Sequence, residues 1–332
     1  MVELRENEVL RVQDLEVKFY TYAGVVHAVS GVSFYVKEAE TIALVGETGC
    51  GKTVTTRAIT RLIEPPGKIE RGVALFRRRK GRIVDLLKIS DDEIRKIRGD
   101  EIAYVFQDPT SALDPLYTIG SHIHETIAAH RRINWWSAKK LGIKLLKEVL
   151  IPSPEIRIKN YPHEMSGGMR QRSVIAISLS NTPKLLIADE PTTNLDVTIQ
   201  AQVLDLFKDL QKKYKISMIL ITHNLGIVAE NADRVYIMYA GKIVEDGLVD
   251  QIFYNPQHPY TKFLLRSVPN PLKKIEKLES IPGTVPSLIN PPPGCRFAPR
   301  CPFTIEKCSN EEPPNVEIER DHHSSCWLLV KK

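Results

Sequence analysis

Residues 46–53 read Gly-Glu-Thr-Gly-Cys-Gly-Lys-Thr and fit G-x-x-x-x-G-K-[ST] at every fixed position. No other stretch restricts the architecture as much. The pattern works only where a buried strand runs into a tight turn that opens a helix. Thr41–Val45 is apolar and strand-length, and Thr53–Ile63 reads as a helix. Glycines let the backbone curl until successive N–H groups converge, and the helix N-terminus adds its positive dipole end. Such a cradle suits a polyphosphate. Gly46, Glu47, Thr48, Gly49, Cys50, Gly51, Lys52 and Thr53 are expected to line it. Lys52 is expected at the β- and γ-phosphates and Thr53 at Mg²⁺. Cys50 reads as a small loop residue, not a nucleophile.

The surrounding sequence supports that context. Val9–Phe19 and Val32–Val36 look like strands of an antiparallel layer. Ile102–Phe106, Leu185–Ala188 and Ser217–Ile221 read as further strands. Ser90–Arg98, Ile199–Lys213 and much of Ile119–Leu150 read as helix, with Ser90 as a cap and Glu93 three residues on. Alternation of apolar strands with helices implies an α/β fold with a mainly parallel sheet covered on both faces. The basic tract Arg77–Lys80 is expected on a loop or hairpin, as a solvated segment and not a nucleic-acid site.

Leu185-Leu186-Ile187-Ala188-Asp189-Glu190 is a strand ending in two acids. Asp189 suits Mg²⁺, and Glu190, one residue on, suits a general base for the attacking water. Alone the pattern is weak; beside a phosphate loop it is strong.

Met165-Ser166-Gly167-Gly168-Met169-Arg170-Gln171-Arg172 resembles the signature sequence of ABC ATPases. Met165 and Met169 depart from the usual Leu-Ser-Gly-Gly-Gln, but Ser-Gly-Gly is intact. Small residues at a helix start present N–H groups and a hydroxyl to an anion. In that family the anion is the γ-phosphate held by the opposite subunit, which assigns Ser166, Gly167 and Gly168. Gln107 resembles the Q-loop glutamine, a Mg²⁺ sensor that contacts the permease. Asn194-Leu195-Asp196 resembles the D-loop, and His223 the switch histidine at the γ-phosphate. An aromatic near the N-terminus should stack on adenine; Phe19 is the first choice, with Tyr20 and Tyr22 as alternatives. The resemblance implies an ABC-type ATPase domain over residues 1–265: a RecA-like core, an antiparallel β subdomain and an inserted helical subdomain at about 111–180.

Three further stretches resemble the dipeptide/oligopeptide importer branch: Gln107–Pro115, Asn255–Thr261, and the run from Ile281-Pro282-Gly283 through Pro292–Phe297 to Arg300-Cys301-Pro302. Membership implies an ATP-hydrolysing import motor at the cytoplasmic face of the membrane. Its implied partners are a second, paralogous ATPase subunit, two permease subunits and an extracellular solute-binding protein. The branch carries dipeptides, oligopeptides, nickel complexes or oligosaccharides. A non-transport ABC ATPase is the competing class, but such proteins usually have long coiled-coil insertions or paired ATPase domains, and this chain shows neither.

Eleven of the 22 prolines fall after residue 265, so Pro269–Pro314 cannot be mostly helix or central strand and reads as an irregular appendage, within a Pro-rich C-terminal extension over 266–332. It carries Cys295, Cys301, Cys308 and Cys326, spaced C-x₅-C-x₆-C-x₁₇-C. Four thiols in a small segment suit zinc or an iron–sulfur cluster, with disulfides a third option. No C-x₂-C pair of zinc-ribbon type is present, and the resemblance implies a [4Fe–4S] cluster. Either metal would chiefly staple a segment poor in core. His322 and His323 are expected as a solvated surface pair, with substitute metal ligands as the alternative, and Trp135-Trp136 in core packing, with a face toward the permease's coupling helix as the alternative. A net charge of +6 selects no partner. No apolar run approaches the ~20 residues a bilayer span needs, and Met1–Asn7 lacks the apolar stretch of a signal peptide, so a cytoplasmic location is expected.

Overall fold

The computed structural model describes residues 3–193, 195–267, 281 and 283–330. Asn194, Pro282 and the proline-bearing stretch from Pro269 lie outside them. In chain order the elements begin with strands β1 (Glu8–Thr21), β2 (Gly24–Lys37) and β3 (Thr41–Val45), then helix α1 (Lys52–Ile59). Next come β4 (Gly67–Arg77), β5 (Ile83–Asp85), α2 (Asp91–Ile97) and β6 (Ile102–Val105). A helical stretch follows with α3 (Pro109–Ala112), α4 (Ile119–Ala128), α5 (Trp135–Glu148), α6 (Pro154–Arg157) and α7 (Gly167–Ser178). The chain then alternates through β7 (Leu185–Asp189), α8 (Val197–Tyr214), β8 (Ser217–Thr222), α9 (Leu225–Asn231), β9 (Arg234–Tyr239) and β10 (Lys242–Leu248). It closes with α10 (Val249–Tyr254), α11 (Pro259–Arg266), α12 (Glu306–Asn310), β11 (Asn315–Glu319) and β12 (His322–Ser325).

Strands β2-β1-β4-β5 form an antiparallel sheet, and the second sheet runs β11-β12-β10-β9-β3-β8-β7-β6. In the latter β3, β6, β7, β8 and β9 are parallel, and every residue of β3, β7, β8 and β9 is buried. Their β-branched and Leu-rich sequences suit a strand covered on both faces. Because β3, β8 and β7 are neighbours in register, the segments leaving Val45, Thr222 and Asp189 emerge side by side. Ligands of open α/β sheets bind at such carboxyl ends.

Several local expectations hold. Ser90 Oγ accepts the Glu93 N–H at 3.3 Å, capping α2. The Arg77–Lys80 tract turns between β4 and β5, where Arg78 pairs with Glu101 at 2.7 Å and Arg79 with Asp100 at 3.1 Å. Helix α1 stops at Ile59, four residues short of the expected Ile63. Arg61 takes a left-handed φ of 52°, and the Leu62 and Arg61 N–H groups turn back to the Arg57 and Ala58 carbonyls, so a capping turn consumes the last residues.

Beyond its last proline the C-terminal extension turns regular: β12 pairs antiparallel with β10, and β11 with β12, so residues 315–325 extend the central sheet. Arg234, fully buried, lies 3.4 Å from Glu40 and 3.3 Å from Asp321 and stacks 4.8 Å from the Tyr35 ring. His322 is likewise buried, not at the surface. Its Nε2 lies 2.9 Å from Glu245 Oε1, while the same carboxylate accepts the Gln257 and His258 N–H groups at 2.6 and 3.0 Å. Burial opposes a charge on His322, but Glu245 outweighs it and the pKa is raised. His323, half-buried, pairs with Asp246 at 3.2 Å. Proline density reports only where regular structure is broken, and these strands lie beyond the last proline, outside the stretch expected to be irregular.

Trp136 is exposed and Trp135 partly so, which corrects their expected place in the core. They begin α5, where Asn134 caps the helix through the Ser137 N–H at 2.9 Å, and the apolar stripe starts only at Ala138. Among the described residues, no helix is long and apolar enough to cross a membrane.

Candidate functional site

The loop from Gly46 to Thr53 wraps the N-terminus of α1. Glycine is required at Gly51, where φ is 103° and a Cβ would stand 2.5 Å from the Ala28 carbonyl oxygen. A Cβ on Gly46 would collide with the Met238 carbonyl. Lys52 is buried, and its ammonium donates to the Gly46 and Glu47 carbonyls at 2.7 and 3.1 Å. Cys50 is buried beneath the loop. Burial pushes its thiol pKa up, which suits a packing residue and not a nucleophile.

Thr53 and Asp189 meet at the mouth of the loop. Thr53 Oγ1 donates to Asp189 Oδ1 at 2.9 Å, and Tyr104 donates to Oδ2 at 2.8 Å. Burial raises the Asp189 pKa against the lowering pull of those two hydrogen bonds. A desolvated carboxylate beside a threonine hydroxyl is an oxygen donor set that a hard cation such as Mg²⁺ satisfies. The Tyr104 hydroxyl is also 3.1 Å from Thr56, and burial raises its pKa well above the ordinary tyrosine value. Sequence reasoning missed Tyr104, although a polar-tipped aromatic inside the strand Ile102–Val105 was a signal that it needed a partner.

Glu190 follows Asp189 and adopts a positive φ of 44°, rare for a side-chain-bearing residue. Its N–H donates to the Ile221 carbonyl at 2.9 Å, which fixes the turn. Gln107 Nε2 and Thr193 Oγ1 each donate to Glu190 Oε2 at 3.0 Å. On the other side His223 Nδ1 lies 3.3 Å from Oε1. Loops after β6, β7 and β8 thus bring Gln107, Glu190 and His223 into one cluster beside Thr53 and Asp189.

The remaining candidates make no hydrogen bond to that cluster among the described residues, although Gly167 lines a pocket together with Gln107 and Leu195. Ser166 caps α7, accepting the Met169 N–H at 3.3 Å, and a Cβ on Gly167 would meet open space. Gly168 packs near Ile199. Among the described residues no hydrogen bond joins Ser166, Gly167 or Gly168 to residues 46–53. Asp196 caps α8 through the Ile199 N–H at 2.9 Å. Phe19 packs half-buried against the core beside Gly67 and Ile63. Tyr20 is tied to Glu70 at 2.9 Å, whereas Tyr22, at the β1–β2 turn, is fully exposed.

Cys295, Cys301, Cys308 and Cys326 line one small cavity with His258, Phe297 and Trp327, and none forms a disulfide. Burial raises the thiol pKa of Cys295, Cys301 and Cys326, the last to about 11. Backbone N–H groups of Phe297, Phe303 and Leu328 point at these three sulfurs and pull the other way. Among the described residues, no three His, Cys, Asp or Glu side chains are gathered closely enough to hold a metal ion.

Residues 29–193 match the family described as "ABC transporter", and residues 244–308 match "Oligopeptide/dipeptide transporter, C-terminal region". The chain is 50% identical over 328 residues to the oligopeptide transport ATP-binding protein OppD of Bacillus subtilis (strain 168), covering 98% of this chain and 90% of that one. It is 50% identical over 322 residues to the dipeptide transport ATP-binding protein DppD of the same organism, covering 97% and 95%. Among solved structures it resembles CbiO1 of Clostridium perfringens, with TM-score 0.60, 27% identity and coverage of 75% of this chain and 92% of that chain. The dimeric ABC transporter cassette MJ0796 shares the fold, with TM-score 0.64, 24% identity and coverage of 72% and 98%. With near-full-length identity of this order beneath the phosphate loop and its acid cluster, the chain belongs to the ATP-binding subunits of the oligopeptide/dipeptide ABC transporters.

Proposed function

We propose that this subunit hydrolyses ATP to drive import of di- and oligopeptides through a pair of permease subunits fed by an extracellular solute-binding protein. The observation that carries the catalytic part is the Glu190 carboxylate, held by Gln107 and Thr193 on one oxygen and facing His223 on the other. In this reading the loop N–H groups and Lys52 bind the β- and γ-phosphates. Thr53 and Asp189 hold Mg²⁺, which neutralises phosphate charge when bound. Glu190 takes a proton from the attacking water while Gln107 and His223 orient it. Tyr22 replaces Phe19 as the aromatic for adenine, because it is the exposed one at the turn.

Among the described residues Ser166, Gly167 and Gly168 form no hydrogen bond with the chain's own phosphate loop, and Gly167 is left open, which supports their use on nucleotide held by a facing ATPase subunit, a paralogue of this chain. Closure of that pair around ATP then does the work by differential binding. The subunit sits at the cytoplasmic face of the membrane, peripheral to the permeases. Peptides are the favoured solute from the relatives' names; nickel complexes and oligosaccharides are the alternatives. A hydrolysis-blocked, ATP-loaded transporter should hold each nucleotide between Lys52 of one ATPase subunit and the serine–diglycine segment of the other. Nucleotide facing neither element overturns the reading. Import of labelled peptide into proteoliposomes, competed by other solutes, decides the substrate.

The four cysteines are proposed as the ligands of a [4Fe–4S] cluster, with zinc as the alternative. Four unpaired thiols line one cavity, three with N–H groups aimed at sulfur, which supports the reading, but binding would have to draw them together, since the described residues do not gather three of them at metal-holding distance. A bound cluster would cross-link the segments that carry them. Iron, acid-labile sulfide and zinc analysis of anaerobically purified protein, with its absorption spectrum, separates the alternatives; metal-free protein with intact fold overturns both.

A further inference from the structure

Two residues from the C-terminal part of the chain hold Glu47, the second residue of the phosphate loop. The Glu47 N–H donates to Tyr260 Oη at 3.0 Å, and Arg300 Nη1 donates to Glu47 Oε2 at 2.8 Å. The Glu47 carbonyl meanwhile accepts from Lys52. All three polar parts of this one residue are therefore fixed. Arg300 is itself buried, lies 5.8 Å from the centre of the Tyr239 ring, and donates to Tyr239 Oη at 3.2 Å and to the Ile281 carbonyl at 3.3 Å. Beneath it Tyr239, Tyr260 and Phe297 form an aromatic plug, with ring centres 4.6–5.4 Å apart and almost no exposure. Packing, and not a wandering side chain, sets where the guanidinium stands.

A carboxylate on a loop that receives a polyphosphate is an electrostatic liability, because like charges at short range repel. Its Arg300 partner removes that liability in two ways: it cancels the charge and it ties the carboxylate to the plug. We infer that Arg300 is a positioning residue of the nucleotide site, which keeps the Glu47 carboxylate neutralised and away from the phosphates and so raises affinity for the nucleotide. The segment that adds strands to the sheet thus also forms a wall of the site. This rests on the reading of residues 46–53 as the ATP cradle.

The test measures binding of Mg·AMP-PNP to the full-length chain by calorimetry. R300Q should raise Kd roughly threefold to tenfold, and the loss should shrink as salt is raised. R300K, which keeps the charge but gives up the planar fork that reaches Glu47, Tyr239 and the Ile281 carbonyl together, should fall between R300Q and the wild type. The decisive variant is R300Q/E47Q: with no carboxylate left to repel phosphate, Kd should return to within about twofold of the wild type. R300Q binding like the wild type overturns the inference. A loss that E47Q does not relieve also overturns it, since the residue would then act only through packing. Should R300Q not fold, R300K and R300K/E47Q decide in its place: a loss of affinity in R300K that E47Q relieves supports the inference, and a loss that E47Q leaves in place overturns it. A wild-type chain that binds no Mg·AMP-PNP would instead overturn the nucleotide site itself.

Discussion

Thr53 Oγ1 donates to Asp189 Oδ1 across 2.9 Å, tying the first turn of α1 to the end of β7. That bond brings together two oxygen donors 136 residues apart in sequence. Asp189→Asn keeps the shape and removes the charge. We predict that it weakens the apparent Mg²⁺ affinity of the nucleotide-bound protein about tenfold or more while ATP still binds. A Mg²⁺ titration of nucleotide binding measures this; an unchanged midpoint would show that Asp189 is no ligand.

Glu190→Gln preserves the hydrogen bond to Gln107 in outline but removes the base. Turnover of the assembled transporter should fall by about 10² to 10⁴, with nucleotide affinity within a few-fold of the wild type. Retention of more than about a tenth of the activity would remove Glu190 from the mechanism.

His258 gives the protein an acid limit. It is buried, its Nδ1 accepts the Tyr260 N–H at 3.0 Å, and burial pushes its pKa down to about 4. The unfolded chain takes this proton near pH 6.5, whereas the folded chain resists it. Stability is therefore complete above about pH 6.5 and is lost as pH falls toward about 4, by an order of about 3 kcal/mol. His322 works the opposite limb: its raised pKa gives stability that is present below about 6.5 and lost as pH rises through the folded value. His258→Asn keeps a capping acceptor without the titration. Denaturant melts at several pH values should show a flatter acid limb for this variant; a limb as steep as the wild type's would assign the sensitivity elsewhere.

Glu245 is fully buried and serves three donors: the Gln257 and His258 N–H groups and His322. Glu245→Ala leaves all three without their acceptor. The cost should be roughly 3–5 kcal/mol, read from the denaturant midpoint. Limited proteolysis of the same variant should cut first around β11 and β12. Wild-type resistance there would mean that other contacts hold those strands.

The residues that the structure brings together at the mouth of the loop were largely legible because the pattern that marks them is local. A phosphate cradle needs glycine, lysine and threonine at fixed spacing, so residues 46–53 announce it, and the acids at the end of Leu185–Asp189 follow from strand length alone. What was hidden depends on contacts far apart in sequence. Tyr104 finds Asp189 85 residues on, and Arg300 finds Glu47 253 residues back. His322 looked like a surface residue because nothing near it in sequence shows the buried Glu245. Phe19 was favoured for its spacing to the loop, but alternation along β1 decides which aromatic faces the core, and only the register with β4 makes that visible.

The pairing of β12 with β10 has a consequence for synthesis. Strand β10 is complete by Leu248, yet among the described residues the strand that covers its outer edge is formed by residues 322–325, made well after it. Until then the nascent chain carries an open strand edge, a template for pairing with other chains. A ribosome that stalls or a message truncated before residue 315 would release a chain with its cradle sequence intact and that edge uncovered. Quality control for this motor is thus written into the order in which its parts are made.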